Sequence, residues 1–519
     1  MQLLIAKIKG DYLQRTRSYS FLITLAISLY VAYTFVPPPD APYTTMRIGI
    51  YIGDFNSAWI GHVTAIMTSV FLSMIGFFLV NNSVKKDIET EVGMIIATTS
   101  VSNFRYLMSK TISNFLVLVT IMSLVLAMSI GVFFFRSAGF DFELMSFLKP
   151  YCFVTLPALF FISALAILSE VLLGRRSVLQ YIGFFVLFNV IMGTVQTAQG
   201  STLVTLLDPF GVKVVTMGFQ DFVKNQLGGD GLVTSMGFIF GSKDKLKTFQ
   251  FTGMEWPTIF LISRVCWIGF SVALVYGASM IFHRFDLREQ LKSIKKPKAL
   301  IDNQHQSVQT ISLTSVPTVV EDYSIKAFIK TELLLLIRKG SRWLWLLNIG
   351  LMIAMIFVPL SIAHQFLLPI LWFLQVSRLS ELTTREKTNR VHHFSFAAYR
   401  PVARLLPAQI LAGLILMIIL ALPLLLRYTI SLHTLSVLGI VTGGAFIVIL
   451  SSALGIATRG KKLFEIVFFL ITYANVNRIP FADYFGFNVS VYSISLVAAL
   501  SFFFLLISLM ARSYEISRA

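Results

Sequence analysis

The sequence predicts an all-α polytopic membrane protein, with about twelve transmembrane helices in two pseudo-symmetric six-helix bundles. Composition gives the class: of 519 residues, 56% are hydrophobic and 13% charged, about half the charged share usual for soluble domains. Apolar runs near the length of about 17 to 25 residues needed to cross a bilayer recur along the whole chain. A polar interruption in the first half, residues 84–110, returns at the matching place in the second, residues 377–404.

The formal net charge of +18 is placed unevenly. Most of the 43 lysines and arginines fall in segments that alternate spans put on one side, the pattern that orients membrane proteins with their basic loops in the cytoplasm. Contact with anionic headgroups accounts for that charge, and no nucleic-acid partner is expected. The two cysteines, Cys152 and Cys266, cannot build a disulfide framework or a zinc site, and no metal site is predicted. No phosphate-binding GxxxxGK[ST] loop and no catalytic motif is present, so no cofactor is expected in this chain.

In chain order, residues 1–18 place Leu4, Ile8 and Tyr12 at helical spacing beside Lys7, Lys9, Arg15 and Arg17, as in a helix lying in the membrane interface. A signal peptide fits less well, because no small-residue cleavage site follows. Spans are predicted at 20–36, 59–80, 111–135, 150–172, 178–195 and 258–282. The polar island 84–110 follows the second, and a long external segment, 197–256, precedes the sixth. Residues 284–323 are a basic, then Gln/Ser/Thr-rich cytoplasmic linker. The second half repeats the plan, with an interfacial helix at 324–340 and spans at 343–362, 366–376, 405–426, 435–457, 463–476 and 491–510. The domains are therefore 1–283, 284–323 and 324–519, with both termini cytoplasmic at the plasma (inner) membrane.

Laid on one another without a gap, the islands align Glu91 with Glu386, Ser100 with Ser395 and Arg105 with Arg400, while Phe104 meets Tyr399. The order of interfacial helix, span, loop, span, charged island and four further spans resembles the membrane subunit of ABC transporters of the type-2 exporter class. Residues Glu89 and Glu91, Gly93, the Met94-Ile95-Ile96 run, the Thr99-Ser100-Val101-Ser102 turn (without the family's proline), Tyr106 and Lys110 carry the likeness. It implies that the island is a coupling helix docking on a separate ATPase. Two copies of that ATPase would bind ATP and Mg, and a hydrophobic or amphipathic substrate such as a lipid, peptide or antibiotic would be exported. The second island departs from the pattern, with Lys387, Asn389, Arg390, His392 and His393 in place of the apolar run. The turn Asp208-Pro209-Phe210-Gly211 also resembles one in large permeases that carry a peptidase domain, of which there is no other sign.

The span interiors are nearly free of acidic residues, with Glu170 and Glu465 near span ends. Ion-coupled transporters place ionisable ligands at mid-membrane, so their absence favours a partner-driven machine. The rival readings are a membrane scaffold or sensor, and a secondary transporter. Two intramembrane polar residues stand apart. Arg264, one to two turns into the sixth span, is expected to snorkel outward beside Glu255, to pair inside the bundle, or to meet an anionic substrate group. His62, near the outer end of the second span, is an interfacial histidine or a ligand. Residues 197–256 are a candidate contact for an external partner.

Overall fold

The computed structural model describes residues 2–38, 40–90, 92–137, 139–174, 177–197, 202–228, 233–240, 246–282, 324–340, 342–476, 483–487 and 490–517. The linker at 284–323 and Glu91 lie outside the described residues. The chain is a multi-pass, predominantly helical membrane protein. Among the described residues, seven helices are long and apolar enough to cross a bilayer, or nine when each of two sharply bent helix pairs is taken as one span. It divides into two compact units. The first comprises Met1–Thr90, Ser100–Phe282 and Gly460–Leu470; the second comprises Glu91–Thr99, His283–Arg459 and Ile471–Ala519.

In the first unit, α1 (Gln2–Thr16) and α2 (Tyr19–Phe35) meet at a bend of 71°, where Ser18 caps α2 by accepting from the Phe21 amide. That break separates the basic N-terminal stretch from the apolar span, as amphipathic and apolar patterns side by side require. Helix α3 (Ser57–Val80) starts at Asn56, whose side chain accepts from the Trp59 amide at 2.8 Å. It is the hub of the unit, with 83% of its most apolar window buried. Around it lie α6 (Asn103–Arg136), α7 (Leu144–Leu173) and α8 (Ser177–Thr197). The short helix α4 (Ser83–Glu89) follows α3, and α5 (Val92–Ala97), next in the chain, belongs to the second unit. Helix α7 contains a π-helical turn, Tyr151–Thr155, followed by Pro157 at the start of regular helix; a proline lacks the amide that would keep the preceding turn tight.

The end of α3 opposite the polar island carries a feature the sequence did not announce. Strands β1 (Tyr43–Ile48) and β2 (Tyr51–Gly53) join β3 (Thr234–Phe240) and β4 (Lys247–Phe249) in a four-stranded sheet ordered β3-β1-β2-β4. The β1 pairings with β2 and β3 are antiparallel, and β2 with β4 is parallel. Beside the sheet, Val36, Ile60, Val132, Phe133 and Phe147 close a core where α2, α3, α6 and α7 converge. Helices α9 (Thr202–Leu207) and α10 (Val212–Leu227) precede β3, and α11 (Thr258–Ile281) completes the unit.

The second unit opens with α12 (Ile325–Arg338) and α13 (Arg342–Phe357), bent by 98°. The predicted boundary between spans 343–362 and 366–376 is corrected: the first helix stops at Phe357, and Pro359 caps a new helix, α14 (Leu360–Phe373). Pro359 cannot donate to the preceding turn, so the break falls there rather than at the polar His364. The second island folds as short helices α15 (Val376–Leu379), α16 (Arg385–Thr388) and α17 (His392–Phe396). Helices α18 (Pro401–Ile430), α19 (Thr434–Thr458), α20 (Lys462–Val476) and α21 (Val491–Ile516) follow. Only 11% of the most apolar window of α21 is buried, an apolar surface suited to lipid.

Candidate functional site

The first island begins on a fixed base. Asn82 adopts a left-handed conformation (φ 67°) between α3 and α4, which asparagine tolerates better than most residues other than glycine. The free amides at the start of α4 are then capped from α7. The Glu170 carboxylate accepts from Ser83 and Val84 at 2.8 Å and from Lys85 at 3.2 Å. A buried acid at a helix N-terminus satisfies orphan donors and meets the positive end of the helix dipole. Asn81, which ends α3, donates to the Gln180 side chain at 2.8 Å. Arg15 of α1 donates to the Val80 carbonyl at 3.1 Å.

One turn further, Asp87 of α4 is the centre of a polar node. Lys110 of α6 donates to Asp87 at 2.8 Å and to Asp11 of α1 at 3.0 Å. The Tyr106 hydroxyl donates to the other Asp87 oxygen at 2.9 Å, and the Lys7 ammonium lies 3.6 Å from the Tyr106 ring centroid. Three elements, α1, α4 and α6, are thereby tied by paired charges. Of the residues singled out from sequence, Tyr106 is buried in this node. Phe104 sets its ring edge-on to Tyr276 at 5.8 Å, and Arg105 and Ser100 are exposed. Glu89 lies in the last turn of α4; Gly93 is buried in α5. What the short helix α5 turns outward is apolar: Val92 is 42% exposed and Ile95 69%.

The second island is held by a different set of charges. Arg385 pairs with Glu332 of α12, and Lys387 with Glu515 of α21. Arg512 of α21 bonds Glu515 at 2.9 Å and donates to the Thr383 carbonyl at 3.1 Å. Glu386 is buried and accepts from Gln409 of α18, so this residue serves the base of the island rather than its surface. Ser395 donates weakly back to the Val391 carbonyl at 3.4 Å. Tyr399 and Arg400 are exposed, and Arg400, with φ 46°, immediately precedes Pro401.

Arg264 is resolved by the external turn. Its guanidinium donates to the carbonyls of Asp208 at 2.5 Å and Pro209 at 3.1 Å and lies over the Phe260 ring at 4.5 Å. The Asp208 side chain accepts from the amides of Phe210, Gly211 and Lys213, while Ser69 of α3 donates to the Phe210 carbonyl at 2.9 Å. Burial pushes the Asp208 carboxyl above its ordinary range, opposed by the Lys213 amide, the Arg264 charge and the Phe210 and Gly211 amides. Pairing within the fold is thus the observed role of Arg264; Arg264 and the Asp208-Pro209-Phe210-Gly211 turn form one structural lock. His62 is buried in α3, where Nδ1 meets the Ala58 carbonyl at 2.7 Å and the ring stacks on Trp256 at 5.6 Å.

The residues sequence reasoning missed are those whose partners are far away in the chain. Glu170 and Asp87 are obvious acids, but nothing local says what they hold. The most distant case is in the first unit. Tyr181 of α8 donates to Glu465 at 2.7 Å, and Lys462 donates to the Phe78 carbonyl at 3.0 Å. Phe469 packs on Phe78 with ring centroids 4.2 Å apart. Among the described residues no group of His, Cys, Asp and Glu is arranged to hold a metal. Comparison with family models, with curated proteins and with solved structures finds no match to this chain.

Proposed function

We propose that this chain is the transmembrane subunit of an ATP-driven exporter of the ABC type-2 class. In this reading twelve spans form two six-helix bundles in the plasma membrane, both termini are cytoplasmic, and two copies of a separate ATPase bind below. The ATPases hold ATP and Mg, and a lipid, peptide or antibiotic passes outward between the bundles. The observation that supports the reading best is the apolar exposure of α5 in the first island, where Val92 is 42% and Ile95 69% exposed. Exposed apolar side chains give a partner subunit surface whose burial on contact is favourable.

The test is co-expression of the tagged chain with its neighbouring genes, followed by purification in detergent and reconstitution. An ATPase carrying a phosphate-binding loop is expected to copurify in stoichiometric amount. Ile95→Asp is expected to lower chain-stimulated ATP turnover by at least about tenfold, since a charge is forced into an apolar contact; replacement of Glu91 and Arg105 lowers it less. Reconstituted transport driven by a proton gradient with no ATPase present would overturn the proposal.

A further inference from the structure

A short segment of the second unit, residues 483–487, runs across the face of α19 and is fitted closely there. A Cβ on Gly439 would come 3.1 Å from the Gly486 Cα, and one on Gly443 would come 2.1 Å from the Tyr484 carbonyl oxygen, so glycines let the two backbones meet. Tyr484 and Phe485 are 3% and 1% exposed. Tyr484 stacks on Trp372 of α14 with ring centroids 6.3 Å apart, and its hydroxyl lies 3.3 Å from that of Thr472. The segment is thus a strap laid between α14 and α19.

His364 fastens it. This residue sits in a π-helical turn of α14, Ala363–Leu367, and is 1% exposed. Its Nε2 lies 2.8 Å from the Phe485 carbonyl and its Nδ1 2.9 Å from the Tyr428 hydroxyl of α18. A carbonyl only accepts, so Nε2 carries the hydrogen, and a bare Nδ1 accepts from Tyr428. That assignment makes the imidazole neutral. The rings of Tyr428, Phe485 and Phe487 stand around it at 5.4, 5.8 and 5.8 Å. Other ionisable groups on the described elements nearby are few. Arg427 of α18 is turned to the Met355 and Val358 carbonyls of α13, and His433 stands edge-on to Tyr428 at 6.1 Å. In the strap, besides Tyr484, Asp483 accepts from the Phe487 amide at 3.1 Å. Helices α14 and α19 carry no acid, lysine or arginine, and α13 carries none after Arg342.

We propose that His364 is a proton-released clasp: neutral, it holds the strap 483–487 on α19, and a proton taken up at Nδ1 lets the strap go. Both ring nitrogens then donate, so the Tyr428 hydroxyl loses its acceptor. The new charge lies in a site closed to water, where an ionised group is costly. Moving the ring toward water relieves that cost and withdraws the donor from the Phe485 carbonyl. Fastening is therefore complete at neutral pH and is lost as pH falls through the histidine range, about 6.5 for an unperturbed ring. His62 of the first unit has no such reach, because its Nδ1 meets the Ala58 carbonyl of its own helix. The clasp lies wholly within the second unit and stands independently of what the protein carries.

The experiment is hydrogen exchange read by mass spectrometry on the full chain in lipid nanodiscs, at pH about 7.5 and about 5, on either side of histidine titration. Rates are corrected for the intrinsic effect of pH. Wild-type peptides covering 483–487 are expected to exchange about tenfold faster at the lower pH, while peptides from α19 do not change. His364→Gln keeps an N–H for the Phe485 carbonyl and cannot titrate, so its strap stays protected at both pH values. His364→Phe removes the donor, and its strap exchanges fast at both. His433→Gln and Asp483→Asn, beside the clasp but outside it, retain the wild-type response. Equal protection of the wild-type strap at both pH values overturns the inference. So does a response that persists in His364→Gln, one that vanishes in Asp483→Asn, or one shared by α19, which is general loosening rather than release of a clasp.

Discussion

Lys110 lies between two carboxylates, with side chains of Lys110 and Asp87 only 4% and 11% exposed. Replacing it with methionine leaves Asp87 and Asp11 close together without a counter-charge. Breaking such a buried pair from one side typically costs about 3–5 kcal/mol. Lys110→Met is therefore expected to lower the thermal unfolding midpoint in detergent sharply, and the combined D11N, D87N, K110M change to regain most of it. A triple variant as unstable as the single would show that the charges are not what holds α1, α4 and α6 together. Arg264→Leu is expected to destabilise as well, because the Asp208 and Pro209 carbonyls lose their donors at about 1–3 kcal/mol for each buried group left unsatisfied. Unchanged stability combined with lost transport would return Arg264 to the role of a substrate contact.

At the scale of elements, close approach of backbones decides which helices tolerate change. A Cβ on Gly61 of α3 would fall 2.2 Å from the Ser146 carbonyl oxygen of α7, and one on Gly443 of α19 would fall 2.1 Å from the Tyr484 carbonyl oxygen. Neither obstacle is a flexible side chain, so Gly61→Ala and Gly443→Ala must push main chain aside, at about 1–3 kcal/mol or more. Gly131→Ala in α6 meets nothing within 4 Å and is expected to leave the unfolding midpoint unchanged or higher. Equal midpoints for all three variants would show that these helices do not approach as closely as described.

The elements also show what a reader of the sequence can and cannot see. Long apolar helices are legible because composition alone demands them, and the bends at 71° and 98° follow from basic amphipathic stretches joined to apolar ones. Helix α6 starts at Asn103, eight residues before its apolar run, because Ser102 caps it there and polar residues such as Lys110 are accommodated by partners in distant segments. The sheet is illegible for a related reason: Tyr43 pairs with Phe240, and strands of three to seven residues carry little periodicity of their own. In the islands, the polar interruptions at 84–110 and 377–404 are legible, but their division into short helices is not; nor are the burial of Glu386 and the cap supplied by Glu170, since each depends on a helix from elsewhere in the chain.

For the molecule as a whole, the halves read from the sequence and the compact units do not coincide, because Gly460–Leu470 belongs to the first unit. Lys462, Glu465 and Phe469 satisfy the Phe78 carbonyl, the Tyr181 hydroxyl and the aromatic faces of Phe78 and Phe185. Residues 1–283 produced alone are therefore expected to elute as aggregate in detergent, and co-expression with 284–519 to restore a monodisperse species. Monodisperse 1–283 with the same melting curve alone and with its complement would show that 460–470 contributes nothing to the first unit.

That insertion also fixes a timetable for synthesis. At about 5–20 residues per second, residue 470 leaves the ribosome about 10–40 s after residue 282. Throughout that interval Phe78, Tyr181, Phe184 and Phe185 wait in the membrane without their partners from 460–470, longer than most helix packing takes. The nascent first half is thus a client for whatever insertase or lipid-embedded chaperone attends it. Ribosome pausing within 284–459 is expected to raise its proteolytic turnover, which pulse-chase labelling at sites before and after residue 470 would read directly.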